Sequence, residues 1–197
     1  FDWEYYMNRY EDLKKAKINT REKAWNHWTK NGIKELRSCN SKCDIINKGQ
    51  LGCLLSHIHI LKDAQDKKYN SILILEDDVV LETNFLNYIF TALKQLYEKK
   101  FDLLYLGCNL HEQKDNYLIS DNILSVKNPK TTSSYIIQNC NKNKIIDTIK
   151  DSTNEIDEVY SNSNLIKYCI YPMISYQKNV KGDIVSNNDY GYYHSQF

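Results

Sequence analysis

Three consecutive acids, Glu76, Asp77 and Asp78, interrupt the stretch N-S-I-L-I-L-E-D-D-V-V-L at residues 70–81. Neighbouring carboxylates repel one another and make a poor folding element. They suit a hard divalent cation, which prefers oxygen ligands. The competing use is a solvated acidic turn leading into a helix. The residues just before the acids bear on that choice. Ile72, Leu73, Ile74 and Leu75 form an unbroken, partly β-branched apolar run. Such a run is expected to be a strand buried on both faces in the parallel sheet of an α/β domain. Ligands of open α/β sheets bind beyond the carboxyl ends of strands, and the three acids fall there.

A second group of polar side chains lies on the helix expected over residues 49–68. Leu51, Leu54, Leu55, Ile58 and Leu61 share one face, and Cys53, His57, Ile60 and Ala64 form a flanking stripe. His57 therefore sits at the edge of the buried side, where a hydrogen-bonded structural role and a catalytic role are both open. Ser56 faces the other way.

Together these stretches resemble glycosyltransferase family 25, the lipooligosaccharide and procollagen galactosyltransferase-like enzymes. The resemblance rests on G-Q-L-G-C-L-L-S-H-I-H-I-L followed, about ten residues on, by I-L-I-L-E-D-D-V. It is carried by Gly49, Gly52, Cys53, Leu55, Ser56, His57, Leu75, Glu76, Asp77 and Asp78. Leu61 stands where the family usually has Trp. Weaker echoes follow in the S-S-Y-I-I of 133–137, in Glu155-Ile156-Asp157, and in Gln177 with Asp183-Ile184, where Gly182 replaces the usual Ser. The likeness spans roughly residues 49–185.

The resemblance implies an α/β fold with a glycosyltransferase type A-like, Rossmann-type sheet. It implies metal-dependent transfer of a hexose from a UDP-sugar donor to a glycan, or to a protein acceptor of hydroxylysine type, with Mn²⁺ or Mg²⁺ as cofactor. Asp78 is the expected direct metal ligand. Glu76 is expected to touch the metal or the ribose, and His194 to reach the metal late in the chain. Gly49, Gly52, Ser56, His57, Asp77 and Gln177 are assigned to donor binding. Asp157 is the expected general base for an inverting reaction, with Asp183 as the alternative. The rival reading is a catalytically weak or inactive relative that keeps the fold as a binding or assembly subunit. A third is a phosphate-handling hydrolase.

The elements that must position these residues begin with a helical module at 1–37. Trp3, Tyr6, Tyr10 and Leu13 recur at helical spacing, as do Ala24, Trp25 and Trp28. Asn19 or Thr20 caps the second helix, and Gly32 is the expected C-cap. The aromatic stripe reads as packing more readily than as a sugar platform. The module resembles one found beside glycosyltransferase domains in bacteria and giant DNA viruses. Residues 38–48 form a polar linker in which only Cys43 to Ile46 suits a strand, and 49–197 make up the family 25-like domain. Family 25 domains open with an apolar strand and an Arg-bearing loop that hold the uridine. Here the module and linker take that place, so the usual first βα unit is expected to be lacking and UDP-sugar binding to be weak.

Beyond the acids, Thr83 or Asn84 caps a helix running to about Lys99, and residues 101–106 form a strand ending at Gly107. The β-α-β order predicts right-handed parallel pairing of that strand with 72–75. A hairpin is expected around Asp121-Asn122, a strand over 131–137, a helix over 142–150 and an edge strand over 166–176 broken by Pro172.

Composition narrows the field. The chain has 197 residues and a formal net charge of +1, enough for one sizeable domain and without the basic field that nucleic acid binding needs. No apolar stretch has the length of a membrane span, and residues 1–10 do not form a signal peptide. Phe rather than Met at position 1 fits an excerpt of a longer protein. Six cysteines, Cys39, Cys43, Cys53, Cys108, Cys140 and Cys169, fit free, mostly buried thiols better than a disulfide framework. That points to a reducing, cytoplasmic compartment, including host cytoplasm or the virion if the source is a giant virus. The sequence leaves a homo-oligomer open.

Overall fold

The computed structural model describes residues 1–35, 37–39, 48–110, 115–138, 142–149, 152 and 154–178. Its first helices are α1 (Trp3–Arg9), α2 (Glu11–Lys15) and α3 (Arg21–His27), and α3 runs on into a π-helical turn at Trp28–Gly32. Asp2 caps α1 by accepting from the Tyr5 N–H at 2.9 Å, and Thr20 caps α3 by accepting from the Lys23 N–H at 3.3 Å. The aromatic stripe is packing: Tyr6 and Trp28 are buried, and the ring centroids of Tyr6–Tyr10 and Trp25–Trp28 lie 5.2 and 5.5 Å apart. Gly32 is not the left-handed cap expected from the sequence, since no described glycine has positive φ. It lies against the Tyr6 ring and Trp28, and a Cβ there would strike the Tyr6 hydroxyl.

The rest of the chain runs α4 (Lys48–Asp66), β1 (Ser71–Leu75), β2 (Val79–Leu81), α5 (Phe85–Gln95), β3 (Leu103–Tyr105), β4 (Asn109–Leu110), β5 (Tyr117–Ser120) and β6 (Ile123–Ser125). It continues through β7 (Pro129–Lys130), β8 (Ser134–Gln138), α6 (Lys142–Ile149), α7 (Ile156–Ser161), β9 (Lys167–Ile170) and β10 (Ser175–Gln177). The main sheet has the order β1-β8-β3-β9-β6-β5, and two small ladders pair β10 with β2 and β4 with β7.

Alternation along the strands builds two cores, one on each face. Leu103, Tyr105, Tyr135, Ile137 and Cys169 face α4, α6 and α7, while Leu104, Ile136 and Ile170 face α5. The result is a mixed α/β/α arrangement consistent with a glycosyltransferase type A-like fold. The N-terminal helices join it directly. Leu51 and Leu55 of α4 pack with Tyr6, Leu13 and Trp28, and Trp25 and Leu55 also touch the main core.

Three expectations about the sheet are corrected. β1 is an edge strand paired antiparallel with β8, and of its apolar run only Ile74 is buried, Leu73 and Leu75 being 39% and 42% exposed. The reason is that α5 lies over Leu104, Ile123 and Ile170 and leaves that face of β1 uncovered. β1 and β3 do run in the same direction, but β8 lies between them, antiparallel to both. The parallel neighbour of β3 is β9. Residues 166–176 are not one edge strand either. β9 lies inside the sheet, and beyond a cis Tyr171–Pro172 bond the chain enters β10 of a separate ladder.

Candidate active site

The carboxyl end of β1 meets the middle of α4 and the start of β8. Glu76 continues the β1–β8 ladder by donating its N–H to the Ser133 carbonyl at 2.9 Å. This turns its side chain inward, where Oε1 accepts from Thr132 Oγ1 at 2.9 Å and lies 3.3 Å from His57 Nε2. His57 is buried, stacked on the Tyr135 ring at 5.7 Å, with Nδ1 2.5 Å from Tyr135 Oη. Tyr135 Oη in turn lies 3.3 Å from Tyr160 Oη. The amphipathic period of α4 puts His57 over the sheet, and β8 brings Tyr135 beneath it.

The three acids part company. Asp77 is exposed. Asp78 turns toward the β2–β10 ladder, where Gln177 lies opposite Val79. Gln177 Nε2 donates to Asp78 Oδ2 at 2.6 Å, and the Lys178 N–H donates to the Asp78 carbonyl at 2.8 Å. The other carboxylate oxygen, Asp78 Oδ1, is buried and has no hydrogen-bond partner among the described residues. A buried orphan acceptor is costly. A cation or a ligand N–H would satisfy it, so this carboxylate fits the divalent metal that the sequence suggests.

Asp157 lies in the first turn of the short α7, and both of its oxygens are engaged. Oδ1 accepts from the Glu158 N–H at 2.7 Å and Oδ2 from the Thr131 N–H at 3.3 Å. Beside it, Glu155 bonds to Gln50 of α4. Burial first and Asp157 second raise the Glu155 pKa, against the Gln50 bond. Cys53, one turn before His57, shows how the acids converge. Burial, then Glu76, Asp157, Glu155 and Asp78 in that order, pushes its thiol up to about 12. Gly52 is exposed on the same helix, where an added Cβ would meet nothing within 4 Å, and Gly49 is half-buried. Ser56 is exposed and donates to the Gly52 carbonyl at 2.8 Å.

Of the residues singled out from the sequence, Glu76 and His57 meet directly, Asp78 and Gln177 meet directly, and Asp157 lies within electrostatic reach of Cys53. Asp77 and Ser56 point to solvent. Asp183, His194, Cys43 and Cys140 lie outside the described residues. Thr132, Tyr135 and Gln50 were missed. Tyr135 was legible only as a strand residue, because nothing local says that it faces His57.

The profile of "Glycosyltransferase family 25 (LPS biosynthesis protein)" matches residues 15–160. Among curated relatives, procollagen galactosyltransferase 2 of Mus musculus is 26% identical over 112 residues, covering 55% of this chain and 17% of its own. Procollagen galactosyltransferase 1 of Danio rerio is 33% identical over 64 residues, 32% of this chain and 11% of its own. A probable inactive glycosyltransferase 25 family member 3 of Bos taurus gives the same figures, 33% over 64 residues. These matches span under a fifth of each relative's length. The family match takes in most of the chain, from inside the N-terminal helices through the helix bearing His57 and the strand bearing Glu76 to α7, and on that ground the chain belongs to glycosyltransferase family 25.

Proposed function

We propose that this chain contributes the donor-handling core of a metal-dependent glycosyltransferase, one that moves a hexose from a UDP-sugar to a glycan or a hydroxylysine-type acceptor. Family membership supports transfer in general. The names of two relatives, procollagen galactosyltransferases, favour galactose and a collagen-like acceptor. The observation that carries the reading is Asp78: a buried carboxylate oxygen without a partner among the described residues, in the turn between β1 and β2, beside the ladder that holds Gln177.

In this reading Asp78 and Glu76 are the oxygen donors for Mn²⁺ or Mg²⁺. A divalent cation there would neutralise the charge developing on the departing diphosphate. Gln177 holds Asp78 by one oxygen and leaves the other free. Thr132 and His57 hold Glu76. Two backbone N–H groups fix the Asp157 carboxylate, which would take the proton from the attacking acceptor hydroxyl.

The test is Asp78→Asn. It should abolish Mn²⁺ binding and UDP-sugar turnover while leaving the unfolding midpoint unchanged or slightly raised. A variant that binds Mn²⁺ with unaltered affinity would remove Asp78 from the site.

The second reading, a catalytically weak or inactive subunit, draws on one observation. No strand pairs with the outer edge of β1, next to the acids, among the described residues. Free UDP with a sugar-bearing product separates the two readings.

A further inference from the structure

Three unlike ligand atoms meet beneath the acidic turn. Cys53 Sγ, a His57 ring nitrogen and a Glu76 carboxylate oxygen all lie within 4.8 Å of one another, the one such trio of His, Cys, Asp or Glu among the described residues, and it is Nε2 that faces Glu76. We infer that Cys53, His57 and Glu76 form a binding site for a thiophilic divalent cation, Zn²⁺ or Co²⁺, which shares Glu76 alone with the oxygen site proposed at Asp78. The inference does not depend on the transferase reading.

The chemistry of the set argues for it. A thiol, an imidazole and a carboxylate are the ligand types of zinc, whereas Mn²⁺ and Mg²⁺ favour oxygens. Cys53 and His57 are four residues apart on α4, so the helix alone stacks them on one face. The His57–Glu76 separation of 3.3 Å is long for an N–H···O bond. It is close to the ~3.3 Å N···O edge of a tetrahedron built on Zn–N and Zn–O of about 2.0 Å.

A supporting shell is also in place. Tyr135 Oη lies 2.5 Å from Nδ1, on the far side of the ring from Glu76. With a cation bound, Nδ1–H donates to Tyr135 Oη and Tyr135 O–H donates to Tyr160 Oη. His57 then turns its Nε2 lone pair toward Cys53 and Glu76. Metal-ligating histidines are oriented in this way by a partner on the other nitrogen. Thr132 Oγ1 does the same for Glu76. On binding, the Cys53 proton leaves to solvent and an S–metal bond replaces the S–H bond. Three protein ligands leave a fourth position for water or a substrate oxygen. Because Glu76 cannot serve both sites fully, Zn²⁺ bound here should weaken Mn²⁺ binding at Asp78.

The experiment titrates the whole chain with Co²⁺. Expected are a thiolate-to-cobalt charge-transfer band, the visible bands of a tetrahedral ion, saturation at a single ion per chain and displacement by Zn²⁺. Cys53→Ser should remove the charge-transfer band, Asp78→Asn should leave it, and Tyr135→Phe should weaken binding about 10- to 100-fold. A second measurement needs no variant: Zn²⁺ should protect Cys53 from alkylation, read by mass spectrometry of its peptide. Absence of the band from the unmodified chain would overturn the assignment. So would a band that persists in Cys53→Ser, which would belong to another thiol, a band lost with Asp78→Asn, or alkylation of Cys53 indifferent to Zn²⁺.

Discussion

Replacing Lys167 by methionine keeps the packing of its stem and removes a buried cation. Lys167 is 5% exposed, and its Nζ donates to the carbonyls of Tyr160, Ser161 and Ser163 at 2.9, 2.8 and 3.0 Å. The ammonium thus closes the last turn of α7, whose final carbonyls have no helical partners, and α7 carries Asp157. The Tyr160 carbonyl keeps another donor, Ser163 Oγ at 2.6 Å, so the loss falls mainly on two bonds. A hydrogen bond to a charged group contributes about 1.5–3 kcal/mol, and part of that is offset because no charge need then be buried. A net cost of about 2 kcal/mol at neutral pH follows. With a urea m-value of about 1–3 kcal/mol/M, the denaturation midpoint should fall by about 1 M. The pH dependence gives an independent check. Burial pulls the Lys167 pKa from 10.5 down to about 8. Between those values the unfolded chain binds more protons than the native one, so the native state gains stability as pH rises. Lys167→Met lacks this gain, and the stability gap between the two proteins should widen from pH 8 toward 10.5. Urea titrations of both across that window decide the matter. A midpoint shift below about 0.2 M would show that Lys167 does not hold α7 through these bonds, and a gap that narrows with pH would show that the fold raises the Lys167 pKa instead of lowering it.

Titration calorimetry with UDP and UDP-sugars should show weak binding that depends strongly on Mn²⁺, because no strand among the described residues flanks the outer edge of β1 and binding through metal-bridged phosphate contacts is screened by solvent; tight UDP binding that survives EDTA would refute this. Gly107→Ala should destabilise by about 1–3 kcal/mol, since a Cβ at 107 falls on the main chain of Ser175. The same change should weaken Mn²⁺ binding by displacing β10 and with it Gln177, and an unperturbed midpoint would count against the close approach. Deleting residues 1–37 should lower stability and raise aggregation, because Leu51 and Leu55 would lose their cover, yet leave Mn²⁺ binding at Asp78; loss of Mn²⁺ binding in a folded truncation would make the module part of the site.

Several elements could be read from local pattern alone. The period of apolar residues on α4 put His57 at the edge of a buried face, and the Thr20 cap was legible from its type and position. The apolar run ending in E-D-D marked a strand with a polar carboxyl end. These features depend on neighbours within about one or two helical turns, and any chain with this sequence carries them. Family membership was visible for the same reason, since two short motifs at one separation survive without any knowledge of what surrounds them.

Strand partners and side-chain meetings were decided only in three dimensions. Nothing in Ile72 to Leu75 says that β8, more than fifty residues on, would pair with it, or that α5 would settle over the other strands and leave Leu73 and Leu75 exposed. The three adjacent acids looked like one site. The β1–β8 ladder turns Glu76 inward to His57 and Thr132, while the β2–β10 ladder takes Asp78 to Gln177, 99 residues away. Strand residues alternate in direction, so which acid enters the core depends on where pairing continues past the strand's end. Cys53 likewise reads as one more small residue of a helix stripe. It becomes a possible ligand because the sheet brings a carboxylate to the face of α4 on which the helix had already placed a thiol and an imidazole.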